Sequence, residues 1–406
     1  MKRQRVVITG LGVVSSIGLG KDAFWKALLA GQSGISRIER FDTSGYDAHV
    51  GGEVKDFRPG QFLEANETKR LGRAAQFAIT ATLLALRDAS IDLPAIADTA
   101  TSACFGTTMS DSPAIEALDD MFVSQGEHFG KAMRLQVLQY PSCMIAAQVA
   151  ARFQLRGKAV MIPTACAAGN YAIAYANDLI RSGQCEVVLA GGVDPLSRYA
   201  FAGFNRMFAV SSDHCRPFDR NRKGIIVGEG AGVLVLESFE HAERRGAEAY
   251  AEIRGYGVSC DAHHMTIPSV EGMTQVMQSA LVDAEISPED VSYISAHGTG
   301  TVTNDQTECA AMANVFGERL SDIPVSSIKS MLGHTMGAAS ALEAIACTLA
   351  VYHGWLPPTI NFETPDPLCP IDCIPNTSRR HPVSVALNNS FAFGGNNACL
   401  VIANFN

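Results

Sequence analysis

Two pairs of segments in this chain repeat one another, and the repeat limits the folds open to it. Gly228-Glu229-Gly230-Ala231-Gly232-Val233-Leu234-Val235-Leu236 matches Gly394-Gly395-Asn396-Asn397-Ala398-Cys399-Leu400-Val401-Ile402 in kind, a glycine turn feeding an apolar strand. The start, Val6-Val7-Ile8-Thr9-Gly10-Leu11-Gly12-Val13, is echoed by Ala251-Glu252-Ile253-Arg254-Gly255-Tyr256-Gly257-Val258. Between these markers short Val/Ile-rich runs alternate with Ala/Leu-rich stretches, the pattern of an α/β protein with buried strands. Strands are expected at 5–8, 101–105, 187–190, 232–237, 291–296 and 399–403. Helices are expected at 22–30, 68–89, 167–181, 272–284, 307–316 and 337–352. The chain thus reads as a duplicated α/β unit, with one half over residues 1–250 and the other over 251–406. Duplication brings two equivalent helix starts together at a pseudo-twofold axis.

Three segments set reactive side chains among small residues: Pro163-Thr164-Ala165-Cys166-Ala167-Ala168-Gly169, Ala296-His297-Gly298-Thr299-Gly300-Thr301 and Lys329-Ser330-Met331-Leu332-Gly333-His334. Cys166 opens an expected helix, where the helix dipole and the free N–H groups of the first turn favour thiolate. The small residues beside it let a substrate carbonyl approach backbone N–H groups that can hold an oxyanion. The duplication places Cys166, from one half, and His334, from the other, in one pocket. A cysteine in an Ala-rich segment is ordinarily packing, but the turn and the two histidine segments favour a nucleophile.

Composition excludes several classes. Hydrophobic residues at 47% and charged ones at 18% fit a folded globular chain. The formal charge of −9 argues against a general nucleic-acid or anionic-membrane surface. Eleven cysteines without framework spacing fit a reduced cytosol. Cys369 and Cys373 have the wrong spacing for a zinc knuckle, and Cys260 beside His263 and His264 lacks a further ligand cluster, so no metal is expected. Lys2-Arg3-Gln4-Arg5 before Val6-Val7-Ile8 reads as the lead into a buried strand rather than a signal peptide, and no run is expected to approach a membrane span. Gly10-Leu11-Gly12 lacks the third glycine of a dinucleotide fingerprint.

With these motifs the chain resembles the β-ketoacyl-acyl-carrier-protein synthases of the thiolase superfamily. The likeness is to the KAS II type, which includes the ketosynthases of dissociated polyketide and polyene pathways. It runs from Ile8-Thr9-Gly10-Leu11-Gly12 to Asn389-Ser390-Phe391-Ala392-Phe393-Gly394-Gly395. The resemblance implies a five-layered αβαβα sandwich, usually dimeric. It implies decarboxylative condensation of malonyl-carrier with an acyl group held on Cys166. His297 and His334 match the pair that binds the malonyl thioester carbonyl, and Lys329 matches the family's lysine, with Glu308 as its expected partner. The backbone N–H groups of Cys166 and Phe393 match the oxyanion hole, and Phe393 the gating phenylalanine.

By the same resemblance, Met109, Phe204, Thr299 and Thr301 are expected to contact substrate. Lys69, Arg70 and Arg73, on one helix, and Arg206 are expected to dock an acyl carrier protein, whose phosphopantetheine arm brings the substrate, so no further cofactor is implied. Glu343 stands outside the catalytic set, as a structural acid or a help in holding a monovalent ion. Ala392, where relatives carry glycine, is expected to resist any swing through positive φ. Asn396 and the Ala167-Ala168 pair also depart from close relatives, which points to a specialised substrate. Two alternatives stand beside the homodimeric synthase: the catalytic half of a heterodimer with a chain-length-factor-like homologue, and a Cys-His thioester hydrolase. The hydrolase leaves the second histidine and Lys329 without a task.

Overall fold

The fold is that of a computed structural model that describes residues 3–92, 96, 100–125 and 133–405. Ten strands carry it: β1 (Val6–Ser15), β2 (Ser102–Gly106), β3 (Ala159–Ile162), β4 (Val187–Asp194), β5 (Gly230–Ser238), β6 (Ala251–Cys260), β7 (Tyr293–Ser295), β8 (Val325–Ser326), β9 (Val385–Phe391) and β10 (Asn396–Ala403). Six helices sandwich them: α1 (Arg73–Asp88), α2 (Cys143–Phe153), α3 (Ala168–Arg181), α4 (Val270–Asp283), α5 (Val302–Phe316) and α6 (Ala339–His353).

The strand order is β3-β2-β4-β5-β1 in one sheet and β8-β7-β9-β10-β6 in the other, the same order with each number raised by five. The directions match too, β2 being parallel to β3 and β4, and β7 parallel to β8 and β9. The sheets meet where β1 pairs with β6 at Val7↔Glu252 and Ile8↔Ala251. Helices α1 and α2 cover the outer face of the first sheet, α4 and α5 that of the second, and α3 and α6 fill the space between. This is the thiolase-like αβαβα sandwich of two duplicated halves.

The middle layer explains the most apolar segment. Met336–His353 is, by length and composition, apolar enough to cross a membrane, contrary to the expectation that no run approaches a span, but 89% of it is buried inside the protein. A helix with a sheet on either side is apolar all round because no face meets water. The helix expected over 68–89 is broken: Ala65–Arg70 ends before Gly72, and α1 starts at Arg73. A Cβ on Gly72 would sit 2.0 Å from Asp111 Oδ2, which accepts the Ala74 N–H at 3.1 Å, so a buried carboxylate caps α1 where the chain turns.

The two central helices start alike. Ala165 (φ 50°) leads through the 3-10 turn Ala165–Ala167 into α3, and Met336 (φ 53°) through Met336–Ala338 into α6. Cys166 therefore corresponds to Gly337. The starts touch: the Asn170 N–H donates to Ser340 Oγ at 3.0 Å, and a Cβ on Gly169 would lie 2.7 Å from the Ala341 nitrogen. Gly169→Ala is expected to cost about 1–3 kcal/mol by overpacking. Gly203→Ala, on a helix with open space at that position, is expected to be neutral or slightly stabilising; denaturant midpoints of the two variants check the contrast.

Candidate active site

Cys166 Sγ and one imidazole nitrogen from each of His297 and His334 lie within 4.8 Å of one another, all three residues buried. They open on one cavity of about 600 Å³. Its wall carries Phe204, Thr299, Thr301 and Phe393.

Each group is set by local backbone chemistry. Cys166 sits on the turn before α3, presented by the left-handed Ala165. His297 follows β7, and both oxygens of Glu308, from α5, accept backbone N–H groups there, His297 and Gly298 at 2.8 Å each. Gly298 (φ 37°) turns the chain where a Cβ would stand 2.6 Å from Ser327 Cβ. His334 follows Gly333 (φ 72°), and its backbone is held by the Ile226 carbonyl at 2.6 Å and the Gly228 N–H at 2.9 Å.

Glu308 is not the partner of Lys329, which corrects the expected pairing. Glu308 is occupied by the His297–Gly298 turn, and Lys329 Nζ pairs instead with Glu343, in the second turn of α6. Lys329 Nζ also lies 3.4 Å from His297 Nδ1. Glu343, expected from the sequence to stand outside the catalytic set as a structural acid or a help in holding a monovalent ion, is therefore the counter-charge of Lys329, and its signal was a single acid in the apolar run Ala339–His353.

The electrostatics follow from burial. Desolvation, then the Lys329 charge and the neighbouring His334, drives the His297 pKa well below its usual value. Desolvation and then Lys329 do the same to His334. Both imidazoles are neutral. His334 Nδ1 accepts the Met336 N–H at 3.1 Å and His297 Nδ1 faces the Lys329 donor, so each Nε2 carries the hydrogen, a tautomer assigned from these partners. Desolvation raises Glu308 and Glu343 to about 7 each.

The expected thiolate is overturned as a resting state. Burial pushes the Cys166 thiol up to about 11, against the downward pull of Lys329 and of the Phe393 and Cys166 backbone N–H groups at its sulfur. Those two N–H groups are the pair anticipated for the oxyanion. The Phe393 ring packs 5.9 Å from Phe204, tilted by 35°. Ala392 is extended (φ −113°) in this conformation, and the positive φ values of the turn fall on Gly394 (82°) and Gly395 (75°).

Phe204 lines the cavity, whereas Met109 packs behind it in the same apolar cluster, its N–H on Asp194 at 2.9 Å. Thr299 and Thr301 share a hydroxyl hydrogen bond of 2.9 Å on the cavity wall. Lys69, Arg70 and Arg206 are exposed. Arg73 is not available for docking: it forms a bidentate pair with the buried Glu229 at 2.8 and 2.6 Å and stacks 4.5 Å over Phe77. Its helix begins after the break at Gly72, which separates it from Lys69 and Arg70.

The chain matches the family models for the β-ketoacyl synthase N-terminal domain over residues 3–242 and C-terminal domain over 250–363. The chain belongs to the β-ketoacyl synthase family. A 3-oxoacyl-[acyl-carrier-protein] synthase 2 of Synechocystis is 38% identical, over all of this chain and 99% of its own. A chain of the ishigamide ketosynthase/chain length factor structure superposes with a TM-score of 0.96 at 43% identity, over 100% of both chains. A type II PKS ketosynthase, solved bound to a hexaketide with its acyl-carrier protein, superposes with a TM-score of 0.90 at 34% identity, over 99% of this chain and 100% of the other. This β-ketoacyl synthase is an acyltransferase of the condensing type, in fatty-acid or polyketide biosynthesis, and nothing in these similarities favours a hydrolase.

A β-ketoacyl synthase whose nucleophile rests as a buried thiol should be slow to alkylate at neutral pH. The thiolate fraction rises tenfold per pH unit below the pKa, so the iodoacetamide rate at Cys166 is expected to climb from pH 7 to 10. Following the modified residue by intact mass checks this, and a plateau below pH 8 would contradict it.

Proposed function

We propose that Cys166 carries the acyl chain as a thioester and that His297 and His334 bind the malonyl thioester through their Nε2–H groups. The observation that carries this reading is the meeting of one thiol and two neutral, donor-bearing imidazoles within 4.8 Å. In acylation the Cys166 sulfur attacks the carrier-bound thioester, the N–H groups of Cys166 and Phe393 hold the oxyanion, and the carrier thiol leaves with the proton. In condensation the malonyl carboxylate departs as CO2, and negative charge collects on the thioester oxygen. Two neutral N–H donors stabilise that enolate where it forms. Its carbon then attacks the acyl-cysteine, which lengthens the chain by two carbons and frees the thiol.

Lys329 and Glu343 set His297, and Glu308 fixes its turn; none of the three needs to touch substrate. The Cys-His-His set is close enough to tempt a metal. A metal-bound imidazole, however, donates its outer nitrogen hydrogen to an acceptor, and here the outer nitrogens accept instead. The proposed reaction therefore routes no step through a metal.

An acyl carrier protein is the proposed partner, met by the exposed Lys69, Arg70 and Arg206. The complex solved for the type II PKS ketosynthase supports that reading. A second ketosynthase-fold chain is proposed on the edge of β3, with Val160, Met161 and Ile162 half-buried. The exposed Phe122, Val137 and Leu138 add an apolar surface for it. The ishigamide ketosynthase/chain length factor structure supports a chain-length-factor-like homologue as that second chain. The proposed boundary between the halves lies near residue 250. Eleven free cysteines support a reducing, cytosolic setting.

Cys166→Ala is expected to abolish the acyl adduct by intact mass while keeping some CO2 release from malonyl-carrier. His334→Ala is expected to lose CO2 release more than acylation. An elongating Cys166→Ala enzyme removes the nucleophile, and equal losses in His334→Ala remove the histidine role. Chain extension measured against free acid, for wild type, separates condensation from hydrolysis. On size exclusion with light scattering, the chain co-expressed with a chain-length-factor-like homologue is expected to elute as a 1:1 pair; two separate species would leave the homodimer.

A further inference from the structure

The cavity reverses the charge of the molecule. The chain has a formal charge of −9, yet among the described residues no Asp or Glu lines this cavity, and its one Lys or Arg is Lys223. Lys223 is exposed and makes no hydrogen bond or ion pair with the described residues. Its backbone is nevertheless fixed on both sides. Arg222 is buried, its guanidinium 2.7 Å from both the Asp219 carbonyl and the Asp366 carboxylate. The Gly224 N–H donates to the Gly300 carbonyl at 2.9 Å, and Gly224 (φ 140°) lies against Ala209, where a Cβ would come 2.2 Å from its carbonyl oxygen. A lysine between two anchored residues stands at the cavity as an unpaired point charge.

A second donor shares the lining. His264 Nδ1 accepts the N–H groups of Thr266 and Ile267 at 3.1 and 3.2 Å, which leaves the hydrogen on Nε2. Neither Lys223 nor His264 has a task in the chemistry at Cys166. An ammonium and an imidazole N–H, in an acid-free cavity of an acidic protein, suit a phosphate.

We propose that Lys223, with His264 as a second donor, binds the phosphodiester that joins the pantetheine arm to its carrier. The inference rests on the function proposed above. It adds that the cavity reads the phosphate as well as the thioester, so pantetheine thioesters without phosphate are poorer substrates.

The test compares malonyl and acyl thioesters of phosphopantetheine with those of pantetheine. For wild type at low salt, KM is expected to be about three- to fivefold lower with the phosphate, as for an exposed ion pair, and the gap should close as salt rises. Lys223→Met, which keeps the stem, should raise KM for the phosphorylated substrate alone and leave kcat unchanged. Lys223→Arg should restore the difference. Equal KM values in wild type, or a preference that survives in Lys223→Met, overturns the assignment. Calorimetry with phosphopantetheine and pantetheine themselves reads the same preference without turnover. If neither thioester condenses, the function proposed above fails, and the calorimetric comparison still decides the role of Lys223.

Discussion

The close approach of two helix starts is the contact on which the rest of this molecule depends. Cys166 belongs to one half and both histidines to the other, so they meet only if α3 and α6 come within backbone contact between the sheets. Small residues permit it. A Cβ on Gly106 would stand 2.2 Å from the Ala168 carbonyl oxygen, and one on Gly192 2.2 Å from that of Gly337. Gly106 ends β2 and Gly192 lies near the end of β4, so the first sheet supports both helix starts from below. Asp194, the last residue of β4, draws the halves together with hydrogen bonds from Thr107, Thr108 and Met109 on one side and Gly337 on the other. The position equivalent to the nucleophile is thus a glycine whose N–H serves as a strut, and one reactive centre arises from two equivalent starts.

Burial sets the chemistry of that centre. A buried site penalises every charge, and Lys329 is the charge kept closest to the histidines, compensated by Glu343 behind it. That arrangement disfavours a proton on either imidazole, so both remain donors through one nitrogen, as an enolate requires. The same desolvation holds Cys166 as a thiol until a substrate carbonyl arrives. The nucleophile is therefore protected from the medium, and its activation falls to the backbone N–H groups and Lys329 at the moment of attack.

The sequence carried the architecture at the level of its repeats. The paired glycine-turn strands proved to be β5 and β10, and the paired starts β1 and β6, because a duplicated sheet needs the same turns in the same places. Short strands such as Val325–Ser326 left no periodic signal. The break at Gly72 was illegible because Asp111, which caps α1, lies far along the chain. The Cys-His-His meeting could be read from motif order and the pseudo-twofold axis. The Lys329–Glu343 pair could not, since Glu308 and Glu343 both lie on helices near the lysine and only three-dimensional packing separates them. The thiolate expectation failed for a related reason: a helix start favours an anion, but the buried middle layer outweighs that pull.

One strap of chain links the mouth of the cavity to its floor. Gly224 bonds to Gly300 in the loop after His297, Ile226 and Gly228 hold the backbone of His334, and Arg222 bonds to the Thr301 carbonyl. Seven residues, 222–228, therefore touch both histidine segments, and the exposed Lys223 lies among them. A shift of this strap would move both imidazoles relative to Cys166, where displacements near 1 Å already cost much of the rate. Asp305, on α5, accepts N–H groups from Phe218 and Gly300 and lies 3.4 Å from Arg222, so the strap is fixed to the same helix whose Glu308 holds the His297 turn. Rigidity at the rim and alignment at the sulfur are consequently one structural property.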